Sequence, residues 1–325
     1  MSSKPSNSDI VVFNKIKQGI RKMMKIAILG APGCVGRHLI AELLNNSDLH
    51  ISASCRSENE IPKDLQNDRL IWKQVDLLDP GSAEDFLHQV EVLIYLIHSL
   101  GAKNFEQLDT QLANAAGHAA KTTGIKKIVY LGGIVPKDQK ASPHLMSRMK
   151  TGEALASYGI PVAEVRASIL LATCSMSYLI VYNLARRLPV MITPRWLNSL
   201  CAPIALEDAV SCLSALVQRE IIGHDIFEIG SDVVRYRDLI SLCGKSLHGM
   251  KNIIIAVPAF AIHLSALWIE LMTGVPNSVA LALAEGLRTD TVPSKNRFRE
   301  ITGRDPVPLE YVLKQLAEEM KEKMH

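Results

Sequence analysis

Three glycines carry the first chemistry in the chain. Gly30, Gly33 and Gly36 stand in KIAILGAPGCVG, Lys25 to Gly36. A short apolar run, Ile26 to Leu29, leads into them, and an amphipathic stretch, Val35 to Leu44, leads out. A phosphate cradle requires this order of strand, turn and helix. Gly30 permits a sharp turn off the strand, Gly33 lets an anion approach bare backbone, and Gly36 lets the helix pack closely on the strand. The N–H groups at the helix start face the anion, and the helix dipole favours its charge. The spacing therefore predicts a pyrophosphate held by Gly30, Ala31, Pro32, Gly33, Cys34, Val35 and Gly36. The bland alternative is a Gly-rich turn that binds nothing; the strand–helix units that follow weigh against it.

Further candidates stand where later strands end. Arg56 follows the second strand in SCRSEN. A site specific for NAD places an acid here for the ribose 2′-hydroxyl, whereas an arginine suits the 2′-phosphate of NADP. Ser54 and Cys55 are not acidic and the first acid is Glu58, so NADP(H) is expected over NAD(H). A solvated surface arginine is the competing reading. Asp76 and Leu77 follow the third strand, with Asp79 and Pro80 placed to open a helix. Ile97, His98 and Ser99 follow the fourth strand in YLIHSLG, where a nicotinamide ribose would pass. His98 can serve as an acid or base near neutral pH, or simply bond the backbone. His144 and Arg148, four apart, share a helix face that could take an anion or only face water.

Apolar strands are read at Lys25–Leu29, His50–Cys55, Leu70–Val75, Val92–Ile97, Lys127–Leu131 and Val162–Arg166. Helical stretches fall at Val35–Leu44, Ser82–Gln89, Lys103–Thr123 and Leu145–Tyr158. Such alternation predicts an α/β fold with a doubly wound parallel sheet of Rossmann type, its ligand crevice beyond the carboxyl ends of the strands. Later in the chain, Leu206–Gln218 reads as a helix, Asp225–Ile229 as a short strand and the tail from Pro308 as an amphipathic helix.

The GxxGxxG spacing, with YLIHSL, IVYLGGIVP, SPHLMSR, LPVMITPRW, API-LEDA and FEIG-YRDLI, resembles the NmrA-like, atypical short-chain dehydrogenase/reductase family, in particular its bacterial NAD(P)-binding oxidoreductase branch. The match runs over about residues 25–247. It implies a Rossmann domain over 25–185 and a smaller, mainly helical lobe over 186–325, after an N-terminal extension, 1–24. Some segments of the lobe would return to the Rossmann domain. The resemblance also implies that Asp76 accepts a hydrogen bond from the adenine amino group while Leu77 packs on the ring. The family's usual Ser or Thr after strand five is replaced by Gly132 and Gly133. Its Tyr-x-x-x-Lys becomes Met146 with Lys150, or Leu145 with Met149 if the register is anchored on Gly152 and Glu153. His98, His144 and Lys150 are then the candidates for catalysis. Many members of the branch carry a further lipid-binding-like domain, which this chain is expected to lack.

Composition narrows the partners. Apolar residues make up 48%, enough for a packed core. The net charge is +3 with no long basic block, which argues against nucleic acid. The six scattered cysteines form no CxxC and no zinc-ligand spacing with histidine, so a reduced cytoplasmic protein with buried cysteines and no metal is expected. Ile10 to Met24 is a basic amphipathic stretch, and Asn252 to Val275 is long and apolar. Either could touch a membrane surface; the blander readings are an unordered extension and a helix of the small lobe. RLPVMITPRW, Arg187 to Trp196, reads as a proline-punctuated loop at the crevice mouth, with Arg195 and Trp196 either meeting an anionic or aromatic substrate or anchoring the loop. Two functions follow. One is an NADP-dependent oxidoreductase acting on an apolar carbonyl or quinone-like molecule. The other is a non-catalytic NADP(H) sensor that acts through a protein partner.

Overall fold

The computed structural model describes residues 23–136, 141–257, 270, 271, 274 and 276–323. The first half alternates strand and helix: β1 (Met24–Leu29), α1 (Cys34–Leu44), β2 (Leu49–Cys55), β3 (Leu70–Gln74), α2 (Pro80–Leu87), β4 (Val92–Tyr95), α3 (Phe105–Thr123), β5 (Lys127–Gly133), α4 (Pro143–Ala156) and β6 (Val162–Ala167). The second half adds β7 (Leu170–Leu171), α5 (Met176–Arg187), β8 (Val190–Pro194), β9 (Leu200–Cys201), β10 (Ile204–Ala205), α6 (Leu206–Gln218), β11 (His224–Ile229), β12 (Val234–Arg235), α7 (Tyr236–His248), β13 (Ile253–Val257), α8 (Asn277–Gly286), α9 (Phe298–Thr302) and α10 (Leu309–Glu322).

Seven strands form one sheet in the order β3-β2-β1-β4-β5-β6-β11, every pairing parallel. The strands are apolar along their length because both faces are covered. Ile26 and Ile28 of β1 face a core shared with Leu39, Ile40 and Leu43 of α1 and with Leu213 and Leu216 of α6. Their neighbours Ala27 and Leu29 face a second core with Phe86 and Leu87 of α2 and Ala113, Ala116 and Ala120 of α3. Strand order reverses between β1 and β4, which fixes the crevice beyond their carboxyl ends.

Local signals set the helix starts around that crevice. Asp79 caps α2 by accepting the Gly81 N–H, with Pro80 in the first helical position. Ser142 caps α4 by accepting the Leu145 N–H, with Pro143 following it. A third core, with Tyr178, Val181, Leu184, Leu239 and Leu313, joins α5, α7, α8 and α10 into a C-terminal helical lobe. The strand–helix alternation read from the sequence is thus present, with boundaries within one or two residues for most elements.

Two stretches depart from expectation. Val190–Pro194 is not a loop but strand β8, paired in parallel with β13. The first residues of the apolar run from Asn252 form that partner strand, not a helix. Ile253, Ile254 and Ile255 are β-branched, and a waiting strand edge outweighs the run's helix-like length. Residues 258–269 of that run, the stretch 1–22 and the side chains of Arg195 and Trp196 lie outside the described residues. Among the described residues no helix is long and apolar enough to cross a membrane.

Candidate functional site

The turn from β1 into α1 is built as its sequence implies. Gly30 has φ of +83°, and a Cβ there would stand 3.0 Å from the Leu96 carbonyl carbon at the end of β4. Backbone therefore passes backbone at the switch point, where only glycine fits. The Gly30 N–H donates to Ser54 Oγ at 3.2 Å, tying the turn to the end of β2. Gly36 packs so closely that a Cβ would collide with the Ala31 backbone. Ala31 is consequently buried beneath the helix and does not line the crevice, whereas Gly30, Pro32, Gly33, Cys34, Val35 and Gly36 do. Gly33 occupies the N-cap of α1 with no side-chain cap, and the first turn carries no acid. Its N–H groups are left for an anion, as a dinucleotide pyrophosphate requires.

The crevice is a cavity of about 1490 Å³. Single small-molecule pockets run to about 300–1,000 Å³, so this one has room for a dinucleotide and a second molecule. Arg56, Asp76, Leu77, Ile97 and His98 all line it. Arg56 is held by a residue that the sequence reading passed over. Its Nε and terminal nitrogen donate to Glu60 Oε1 at 2.9 and 2.7 Å, while its backbone N–H donates to Glu60 Oε2. These contacts hold the Glu60 carboxyl below its usual range despite some burial. Asp76 accepts the Leu78 N–H through Oδ1, and the Asp76 N–H donates to Ser82 Oγ. Asp79, not Asp76, caps the helix.

At the ends of β4 and β5 the walls become polar and titratable. His98, His144 and Arg148 converge there, beside Gly132 and Gly133. Arg148 donates to the Leu131 carbonyl at 3.2 Å, and Tyr130 donates its hydroxyl to the Arg148 carbonyl at 2.9 Å. The Arg148 cation, then burial, then His144 push His98 down to about 3. Burial first and Arg148 second push His144 to about 3 as well. Both imidazoles are therefore neutral at neutral pH. They can donate or accept a hydrogen bond, but they are not the near-neutral acids that histidine usually offers. Lys150 is exposed and is not among the cavity-lining residues. On α4 it falls two residues past Arg148, about 200° round the helix.

Two groups of site residues carried no sequence signal. Asp109 of α3 is buried; it accepts the Ser99 N–H at 2.7 Å and the Ser147 hydroxyl at 3.0 Å. It thereby pins the loop bearing His98 to α3 and α4. Ser168, Thr291 and Tyr236 form a hydroxyl chain at the cavity wall, with oxygen separations of 2.6 and 2.7 Å about Thr291 Oγ1. Burial raises the Tyr236 phenol far above its ordinary range. Beyond this chain the wall is apolar, with Ile180, Val181, Leu184, Met191, Ile240 and Leu283 facing in.

The cysteines correct the sequence reading. Cys34 and Cys174 are joined by a disulfide across 140 residues, with Cα atoms 5.6 Å apart. His38 places a ring nitrogen within 4.8 Å of both sulfurs. The expectation of six small buried thiols holds only for Cys55, Cys201, Cys212 and Cys243. Spacing along the chain carries no trace of this cluster, because the fold alone brings the loop after β7 to the start of α1.

The sheet order and the phosphate cradle define an NAD(P)-binding Rossmann protein. Residues 30–182 match a family model described as NAD(P)H-binding. No curated protein matches the sequence significantly. Among solved structures, a nucleoside-diphosphate-sugar epimerase from Staphylococcus aureus is similar at TM-score 0.73 and 17% identity, covering 90% of this chain and 100% of its own. The triphenylmethane reductase of Citrobacter sp. complexed with NADP(H) gives 0.72 and 17%, covering 90% and 99%. An NADPH-dependent quinone oxidoreductase from Escherichia coli gives 0.71 and 18%, also covering 90% and 99%. At such identities the likeness is one of fold.

Proposed function

We propose that the protein is an NADP(H)-dependent reductase of an apolar carbonyl or quinone-like molecule. The observation that carries this reading is the continuity of the cavity: the phosphate cradle opens past Arg148, His98 and His144 into a pocket walled by Val181, Leu184, Met191 and Leu283. When bound, the dinucleotide supplies the hydride. The residues have separate tasks. The α1 N–H groups and Arg56 bind the phosphates, the apolar wall orients the acceptor, and Arg148 faces the acceptor oxygen. A guanidinium fixed at the pocket wall stabilises negative charge as it develops on that oxygen. Neutral His98 and His144 position the oxygen by hydrogen bonds, and water provides the proton that ends on it.

Preference for NADP(H) is supported by Arg56 beside the crevice and by the non-acidic Ser54 and Cys55. The reductase and the quinone oxidoreductase of like fold are NADP(H) proteins by description. Glu60 already pairs with Arg56, so a 2′-phosphate must share that guanidinium. A second reading, a non-catalytic NADP(H)-sensing regulatory or assembly protein, is favoured by Met146 or Leu145, according to the register, standing where the short-chain family carries tyrosine. The two are separated by NADPH oxidation with a panel of apolar quinones and aldehydes, run beside a calorimetric NADPH titration. Turnover supports the reductase, and binding without turnover across the panel supports the sensor.

A further inference from the structure

Strands β8 and β13 carry two unlike faces. On the inner face, Met191 and Ile254 pack into the third core, and Met191 also lines the apolar pocket. On the outer face stand Val190, Ile253 and Ile255, each at least 51% exposed. Val190 pairs with Ile253, and Ile255 follows two residues on, so the three side chains share one face. Met250, just before β13, is exposed too. Among the described residues the two strands form a sheet of their own. A single exposed apolar side chain needs no account, but a contiguous group on a strand pair marks a surface that meets a partner.

Charge indicates which partner. Arg186 and Arg187 end α5 just before β8, and Lys251 stands just before β13; all three are exposed. The strand starts are tied together. Asn252 donates through Nδ2 to the Ala185 and Leu188 carbonyls at 2.8 and 2.7 Å, and the Ile253 N–H donates to the Pro189 carbonyl at 2.8 Å. The three cations therefore border one end of the apolar face. The chain holds no acid between Glu164 and Glu207 or between Asp238 and Glu270. Lys245 of α7 is set aside, because Glu310 stands 3.6 Å from it. Apolar side chains bordered by cations suit an anionic lipid surface, where the former enter the headgroup boundary and the latter meet phosphates. A globular partner would have to match this strand pair in shape and bring its own acidic rim; a bilayer needs no such match.

We propose that the outer face of β8 and β13 docks the protein peripherally on an anionic lipid bilayer. Val190, Ile253 and Ile255 meet the headgroup boundary, and Arg186, Arg187 and Lys251 meet the lipid phosphates. The bilayer then lies one strand's thickness from the apolar pocket, on the far side of Met191. The proposal rests on the strand face and on no choice of reaction.

The test uses the full chain with vesicles of phosphatidylcholine, alone or with about a third of the lipid replaced by phosphatidylserine. The protein should float with the anionic vesicles, and less of it at high salt. Ile253→Ser/Ile255→Ser and Arg187→Ser/Lys251→Ser should each weaken binding at least about tenfold, with thermal melting run alongside to show that the fold persists. An environment-sensitive fluorophore on Ile255→Cys reads the position. Cys34 and Cys174 are bonded and the other four cysteines are buried, so the label goes to the new thiol. Its emission should shift to the blue on anionic vesicles, whereas the same label on Ile71→Cys, exposed on edge strand β3, should not move. Wild type that does not bind anionic vesicles, or binding that either double variant leaves intact, would overturn the proposal. So would a label on Ile255→Cys that is already blue in buffer, the sign of a face covered by the protein's own chain. A blue shift that follows protein concentration without lipid would also overturn it and make the face a contact between two copies.

Discussion

The phosphate cradle of the cavity is backbone from one short stretch of chain, whereas the apolar half is assembled from side chains of α5, β8, α7 and α8. In the first half, Gly30 and Gly36 are dictated by close contacts with Leu96 and Ala31, and the ligand-facing groups are N–H donors that any residue supplies. In the second, a wall residue can be exchanged for another apolar side chain of similar volume, and the polar side chains include Arg148, His98, His144 and the Ser168–Thr291–Tyr236 chain. A site made of backbone fixes its ligand class through geometry. A site made of side chains fixes its substrate through chemistry chosen residue by residue.

The sharpest way to break the comparison is to damage the backbone half. Gly30→Val forces a branched side chain onto a φ of +83° and against the Leu96 carbonyl. Dinucleotide affinity should fall by at least about a hundredfold, with thermal melting run alongside to show that the fold persists. Arg148→Met attacks the other half: NADPH Kd should change by less than about threefold, while turnover on an aldehyde should drop about a hundredfold. An equal loss of binding and turnover would merge the two halves into one site.

Arg56→Ala should weaken NADPH by about tenfold and leave NADH unchanged, since only the former carries the phosphate that a guanidinium pairs with. Equal affinities in the wild type would contradict the NADP preference. Thr291→Val breaks the hydroxyl chain from Ser168 to Tyr236 and should raise KM about threefold to fivefold without altering NADPH binding.

The smallest effect is one of pH. His98 and His144 sit near 3 in the folded protein against 6.5 as ordinary side chains. Their uncharged state contributes stability that is complete above about pH 6.5 and is lost as pH falls from there toward 3, because the unfolded chain takes up protons that the folded chain refuses. Denaturation series across that window should show the loss, and His98→Asn should flatten it. Turnover should show no histidine inflection near neutrality.

Local requirements explain what could be read in advance. The glycine turn, the Asp79 and Ser142 caps and the strand–helix alternation each depend on neighbours within a few residues, so their patterns survive in the sequence. His144 and Arg148 were visible as a helical pair, but only the sheet order brings His98 to them. Glu60 carries no such pattern, because it lies four residues past Arg56 and reaches it only by folding back through a turn of 3-10 helix. The Ser168–Thr291–Tyr236 chain and the Cys34–Cys174 bond join residues far apart in the chain, and no periodicity encodes such meetings. The β8–β13 pair failed for the converse reason. Each strand looked like something else alone, and each exists because the other offers an edge.

We propose that hydride passes from the nucleotide half to an acceptor in the apolar half. It is tested most directly by incubating the protein with NADPH carrying deuterium at the transferable position and an apolar aldehyde, then measuring the label in the product by mass spectrometry. Deuterium is expected on the carbinol carbon of the alcohol, from one face of the dinucleotide only, with a collapse of label transfer in Arg148→Met. Saturating NADPH binding with no labelled alcohol from any aldehyde, and no quinone-dependent NADPH oxidation, would contradict it.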